Sequence, residues 1–194
     1  FLFMMPLYLQ GERGFTAFQT GLTFLPVAVG ALVFSPLSGR LVGRYGSRPS
    51  LLIAGATMTA ATLSLTRLSA TTPVWALLTI FAVFGVGFAI VNAPITTAAV
   101  SGMPTDRAGA ASAVATTSRQ VGVSLGVALC GSIAGSALAT SGADFAVAAR
   151  PLWLVCTGLA VTILALGFSS TSARALRSAD RLAPLIAGTT NHVE

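Results

Sequence analysis

The chain has 194 residues, 54% of them hydrophobic and only 8% charged, with a mean hydropathy of +0.84; an ordinary soluble domain carries about 25% charged residues. That deficit excludes a soluble globular fold. The net charge of +6 rests entirely on arginine, and the arginines border the apolar runs, which is the pattern of a membrane protein and excludes a nucleic-acid-binding one.

Charged side chains bracket uncharged runs of 26 residues between Arg13 and Arg40, 18 between Arg48 and Arg67, 38 between Arg67 and Asp106, 24 between Arg119 and Asp144, and 23 between Arg150 and Arg174. About 20 apolar residues cross a hydrocarbon core of roughly 30 Å, so each run is expected to form a membrane-spanning helix. Residues 1–10 are too few to cross. The first helix is therefore expected to be truncated, and the chain to be the C-terminal piece of something longer; with no basic start before it and five more long runs after it, this opening run is not expected to be a signal peptide.

The expected fold is an all-α membrane protein, a lobe of six helices with the first truncated. In chain order the helices are expected at about residues 1–10, 18–41, 49–66, 73–100, 108–139 and 150–170, giving a membrane domain over 1–170. Breaks are expected at 11–14, 43–49, 69–73, 102–104 and 141–144, where glycine, proline and polar residues cluster. Backbone amides in hydrocarbon must be satisfied within the helix, so these breaks belong at the membrane surfaces. Residues 171–194, with Arg174, Arg177 and Arg181, are expected to form an interfacial helix that frays into disorder.

Proline interrupts two of these helices. Pro26 and Pro36 are expected to bend the second. Pro94 is expected to bend the fourth, with Asn92 beside it to satisfy freed backbone groups and a gate as one possible use of the kink. Gly85 and Gly87 supply flexibility or close approach near the middle of that helix. The fifth helix holds Gly122, Gly126, Gly131 and Gly135, two Gly-x-x-x-Gly pairs of the kind that let helix backbones pack closely.

Arginine counting sets the orientation. The loop between helices two and three, the loop between four and five, and the tail hold seven arginines, against Arg13, Arg67 and Arg150 on the other side. By the positive-inside rule the first group, and the C-terminus with it, is expected in the cytoplasm. Arg119 alone lies inside a helix, about 16 Å along it from Ala108, where it either faces a cavity or buried partner or snorkels to the cytoplasmic rim.

Few residues invite chemistry. Gly122-Val123-Ser124-Leu125-Gly126 matches a nucleophile elbow by letter only, since that motif needs a strand-to-helix turn and a base, and the single histidine is His192. Cys130 and Cys156 lie in apolar runs and are expected to be packing residues. No metal site, cofactor site or enzyme activity is expected. The five carboxylates, Glu12, Asp106, Asp144, Asp180 and Glu194, are all assigned to loops, helix ends or the tail, so an intramembrane proton-carrying acid is expected outside this chain.

The segment Gly39-Arg40-Leu41-Val42-Gly43-Arg44-Tyr45-Gly46-Ser47-Arg48-Pro49 resembles the cytoplasmic basic loop motif of the major facilitator superfamily, with Gly43 where that motif usually carries an acid. Three further strings strengthen the resemblance: Pro6-Leu7-Tyr8-Leu9-Gln10; Thr20-Gly21-Leu22 leading to Leu25-Pro26; and Asp106-Arg107-Ala108-Gly109-Ala110-Ala111-Ser112 leading to Arg119-Gln120-Val121-Gly122. Together they are similar to the C-terminal half of the fourteen-helix drug:proton antiporters, from residue 1 to about 170.

The resemblance implies that the first and fourth helices line a central cavity, the second and fifth face the other lobe, and the third and sixth lie outermost. It implies proton-coupled efflux of amphiphilic small molecules by alternating access, with Gln10, Asn92, Arg119 and Gln120 as polar contacts and Pro94 as a gating residue. The implied partners are a small-molecule substrate, protons, the lipid bilayer and an N-terminal lobe of the same polypeptide, in a bacterial plasma membrane. A metabolite or sugar carrier of the same superfamily, or a non-transporting membrane scaffold, are the alternatives.

Overall fold

A computed structural model describes residues 1–69, 71–100, 108–139 and 145–169. In chain order these form α1 (Met4–Leu7) running into a π-helical turn (Tyr8–Glu12), α2 (Ala17–Thr23), α3 (Leu25–Tyr45), α4 (Ser47–Leu65), α5 (Val74–Val100), α6 (Ala108–Ala139), α7 (Phe145–Ala148) and α8 (Arg150–Ser169). Among the described residues there is no strand. The breaks expected at 102–104 and 141–144, the tail from residue 171, and Asp106, Asp144, Asp180 and Glu194 lie outside them.

Helices expected at 73–100 and 108–139 occupy Val74–Val100 and Ala108–Ala139. Besides the short α7, which was not expected, three details differ from expectation, each for a local reason. The first helix runs two residues past Gln10, because the π-helical turn carries it to Glu12. The second divides at Phe24 into α2 and α3: Pro26 has no N–H to donate to Leu22, and the chain turns there through Phe24 N–H donating to the Gly21 carbonyl. α2 begins with a capping box in which Thr16 Oγ1 accepts from Gln19 N–H and Gln19 Oε1 from Thr16 N–H.

The third difference concerns the break at 43–49. α3 remains helical through Tyr45 and α4 starts at Ser47, so one residue makes the turn. Gly46 sits at φ 76° and ψ 179°, a region open essentially to glycine alone.

α5 packs against both α3 and α4, and α4 packs against α8. These helices meet backbone to backbone. A Cβ on Gly85 would stand 2.7 Å from Val27 Cα, one on Gly30 3.1 Å from the Gly85 carbonyl carbon, and one on Gly55 2.8 Å from Leu164 Cα. Gly87 is equally tight against the Met58 and Thr57 side chains of α4. Of the two roles open to Gly85 and Gly87, the structure shows close approach.

The larger buried cluster gathers Met4, Tyr8, Leu65, Leu77, Phe81 and Trp153, with Cys130 and Ala134 from the end of α6. It lies where α1, the end of α4 and the starts of α5 and α8 converge, near Arg13 and Arg67. A smaller cluster of Ala54, Ile90 and Val91 joins α4 to α5 farther along. Ala17–Tyr45, Val74–Thr97 and Arg150–Ser169 are long and apolar enough to cross a membrane; α4 and α6 have the length, at 19 and 32 residues, but carry more hydroxyl side chains. Outward-facing Leu32 and Trp75 are 78% and 71% exposed, a surface suited to lipid.

Candidate functional site

Beyond Gly87, α5 changes character. Pro94 is fully buried and has no N–H, which leaves the Ile90 carbonyl without its helical donor. Ser38 of α3, itself 1% exposed, fills the gap: its Oγ donates to the Ile90 carbonyl at 2.7 Å. Asn92, expected to serve this purpose, instead donates from Nδ2 to the Phe88 carbonyl of its own helix at 2.7 Å. Position explains the correction: Ile90 is only two residues from Asn92, whereas Phe88 is one turn back on the same face.

Asn92 and Arg119, expected as polar contacts, come together. They line a cavity of about 110 Å³ between α5 and α6 with Thr96, Ser112 and Thr116. Thr96 Oγ1 donates to the Asn92 carbonyl at 3.0 Å. Arg119 is exposed and makes no hydrogen bond or ion pair among the described residues. Gln120 is exposed and does not line this cavity. Gln10 is not brought to it either: it lies exposed on the π-helical turn, where Tyr8 Oη donates to the Ser69 carbonyl at 2.6 Å and Arg13 to the Thr72 carbonyl, at the opposite end of α5 from Asn92.

A larger cavity of about 330 Å³ opens where α3, α5, α6 and α8 approach the start of the chain. Phe84 and Phe88 of α5 and Val123 and Val127 of α6 form its walls. Phe1 stacks on Phe84 with ring centroids 4.0 Å apart. A cavity lined by the first and fourth helices was implied, but these wall residues were not named, although both wall pairs are spaced i, i+4 and so share a helix face. Ser38 was missed as well; a hydroxyl in an apolar helix is its only signal.

Among the described residues, the glycines expected to pack α6 have no close neighbour. A Cβ on Gly122, Gly126, Gly131 or Gly135 would meet nothing within 4 Å, and Gly126 lines the 330 Å³ cavity. Spacing tells how closely a helix can be approached, not which face has a neighbour. From Ser112 to Leu129 only Ala115 is even half-buried.

The basic motif is helical over most of its length. Gly39, Arg40 and Arg44 are exposed on the last two turns of α3, Gly46 forms the turn, and Arg48 is exposed on the first turn of α4. Arg44 complements the negative end of the α3 dipole, and its guanidinium lies 5.6 Å from the Tyr45 ring centroid. Among the described residues no group of three or more His, Cys, Asp or Glu side chains is placed to hold a metal ion.

A family model for the Major Facilitator Superfamily matches residues 1–127, from α1 through Arg119 into the second half of α6. The chain belongs to that superfamily. It is therefore an integral membrane protein of a transporter superfamily rather than of an enzyme family, and its all-α fold is a fragment of the facilitator fold. Among its relatives, the MFS-type transporter YhcA of Bacillus subtilis is 34% identical over 128 residues, covering 66% of this chain and 24% of that protein. The multidrug resistance protein Stp of Mycobacterium tuberculosis is 37% identical over 126 residues, covering 65% and 23%. The methylenomycin A resistance protein of Streptomyces coelicolor is 34% identical over 137 residues, covering 66% and 27%. The chain thus spans about a quarter of the length of these relatives.

Proposed function

We propose that this chain is the C-terminal lobe of a fourteen-helix drug:proton antiporter that exports amphiphilic small molecules by alternating access. The observation that carries the reading is α6. Its stretch from Ser112 to Leu129 is almost wholly exposed, it has polar groups at Thr116, Arg119 and Gln120 that suit lipid poorly, and it borders an apolar cavity of about 330 Å³. A helix with that surface, beside a cavity walled by one lobe only, needs a second lobe against it. Apolar walls with few polar groups suit amphiphilic cargo, as do the resistance proteins among the relatives.

In this reading α6 and α3 face an N-terminal lobe of the same polypeptide, Asn92 and Arg119 supply polar contacts near the cavity, and the proton-carrying acid belongs to the other lobe. The end bearing Arg40, Arg44 and Arg48 faces the cytoplasm of a bacterial plasma membrane, and the tail from residue 171 lies on that side. The test is ethidium efflux from intact cells. The complete polypeptide containing these residues should show efflux abolished by collapsing the proton gradient, and the 194-residue chain alone should show none. Proton-gradient-dependent efflux by the chain alone, or none by the complete polypeptide, would overturn the reading.

A further inference from the structure

We infer that the cavity between α5 and α6, lined by Asn92, Thr96, Ser112, Thr116 and Arg119, seats a carboxylate group. Arg119 is the one cation lining this cavity, and a guanidinium offers up to five N–H donors in a planar fork. It makes no hydrogen bond or ion pair among the described residues, and an arginine on a membrane helix is retained where it meets a polar or opposite-charged partner. Glu12 is the only carboxylate among the described residues. It lies by the Thr72 end of α5, and the 18 residues from Val74 to Asn92 span about 27 Å.

The remaining polar groups agree in sign. Asn92 Nδ2 carries two hydrogens, of which one is directed to the Phe88 carbonyl at 2.7 Å, and the hydroxyls of Ser112 and Thr116 add donors. Size agrees: a cavity of about 110 Å³ has room for a carboxylate. Charge narrows the occupant, because a phosphate dianion would bring two negative charges to a cavity with one lining cation. A carboxylate can also accept from a guanidinium through two parallel hydrogen bonds.

Two sources share this chemistry. One is the carboxylate of a transported molecule whose apolar part lies outside the cavity, and this source rests on the transport reading above. The other is an Asp or Glu side chain elsewhere in the same polypeptide, and this source does not.

The experiment measures thermal unfolding of the detergent-purified complete polypeptide, as wild type, Arg119→Gln and Arg119→Lys, with sodium benzoate or its neutral isostere benzamide as probe. A substrate-borne carboxylate predicts a saturable rise in the wild-type Tm with benzoate and none with benzamide, with apparent affinity at least about tenfold weaker in Arg119→Gln. An internal carboxylate predicts no benzoate effect on wild type, together with a lower ligand-free Tm in Arg119→Gln that Arg119→Lys restores. The proposal is overturned if benzoate shifts wild type and Arg119→Gln equally, if benzamide acts as benzoate does, if Gln and Lys lower the ligand-free Tm alike without a benzoate effect, or if all three proteins unfold alike and ignore benzoate. None of these readouts measures transport, so failure here is separate from failure of the efflux assay.

Discussion

Ser38 Oγ donates across the α3–α5 interface to the Ile90 carbonyl at 2.7 Å, the same carbonyl that Pro94 leaves without a helical partner. The two residues form a coupled pair, one creating the vacancy and the other filling it. Ser38→Ala should lower stability by about 1–2 kcal/mol, the cost of stranding a buried acceptor. Pro94→Ala restores a backbone donor to Ile90, so in that background Ser38→Ala should cost under about 0.5 kcal/mol. A double-mutant cycle of unfolding free energies checks this; additivity of the two substitutions would sink the coupling.

Gly85→Ala should destabilise by about 1–3 kcal/mol, because the new methyl would sit 2.7 Å from Val27 Cα and main chain cannot step aside as a side chain can. Gly158→Ala is the control. It meets nothing within 4 Å and should leave stability unchanged or raise it by up to about 1 kcal/mol through helix propensity. Comparing the Tm of the two variants separates steric contact from a general intolerance of alanine.

Gly46→Ala should cost about 1–3 kcal/mol, since φ 76° with ψ 179° is strained for any residue with a Cβ. Gly46→Asn should not rescue it, because asparagine tolerates the left-handed helical region, with ψ near +47°, and not this one. Equal stability of the alanine variant and wild type in chemical unfolding would show that α3 and α4 can be joined by another turn.

The proposed orientation predicts that cysteine at Ser47 reacts with a membrane-impermeant maleimide only in inverted vesicles, and cysteine at Thr71 only in intact cells. Cys130 and Cys156, both free thiols, must first be replaced. Labelling of position 47 from outside would reverse the topology.

Helix positions were legible because charge and punctuation mark where hydrocarbon ends: Pro73 precedes α5 by one residue, and α8 opens at Arg150. Helix contacts were less so. Close approach was read for Gly85, yet the tight contacts at Gly30 and Gly55 were not singled out by Gly-x-x-x-Gly spacing, because which face of a helix meets a neighbour is a tertiary property that apolar runs without a polar face cannot reveal. The basic motif at 39–49 was visible as residues but not as conformation, since Gly43 and Gly46 look alike in sequence and only Gly46 takes a positive φ. At the site, Asn92 and Arg119 were each named as polar contacts, and both line one cavity, although Arg119 makes no hydrogen bond to Asn92. The distance of Gln10 from them, and the part played by Ser38, depended on how the helices rotate about their axes.

α6 can be viewed as a beam. Ala111 is buried near one end and Cys130 and Ala134 near the other, while the 18 residues from Ser112 to Leu129, about 27 Å of helix, span the interval without buried support in this lobe. Two interior glycines, Gly122 and Gly126, soften the span further. A beam held at its ends yields most at mid-span, and Arg119 lies close to that point. A pull on its guanidinium would therefore act where α6 is most compliant, bowing the helix while its two seats stay in place.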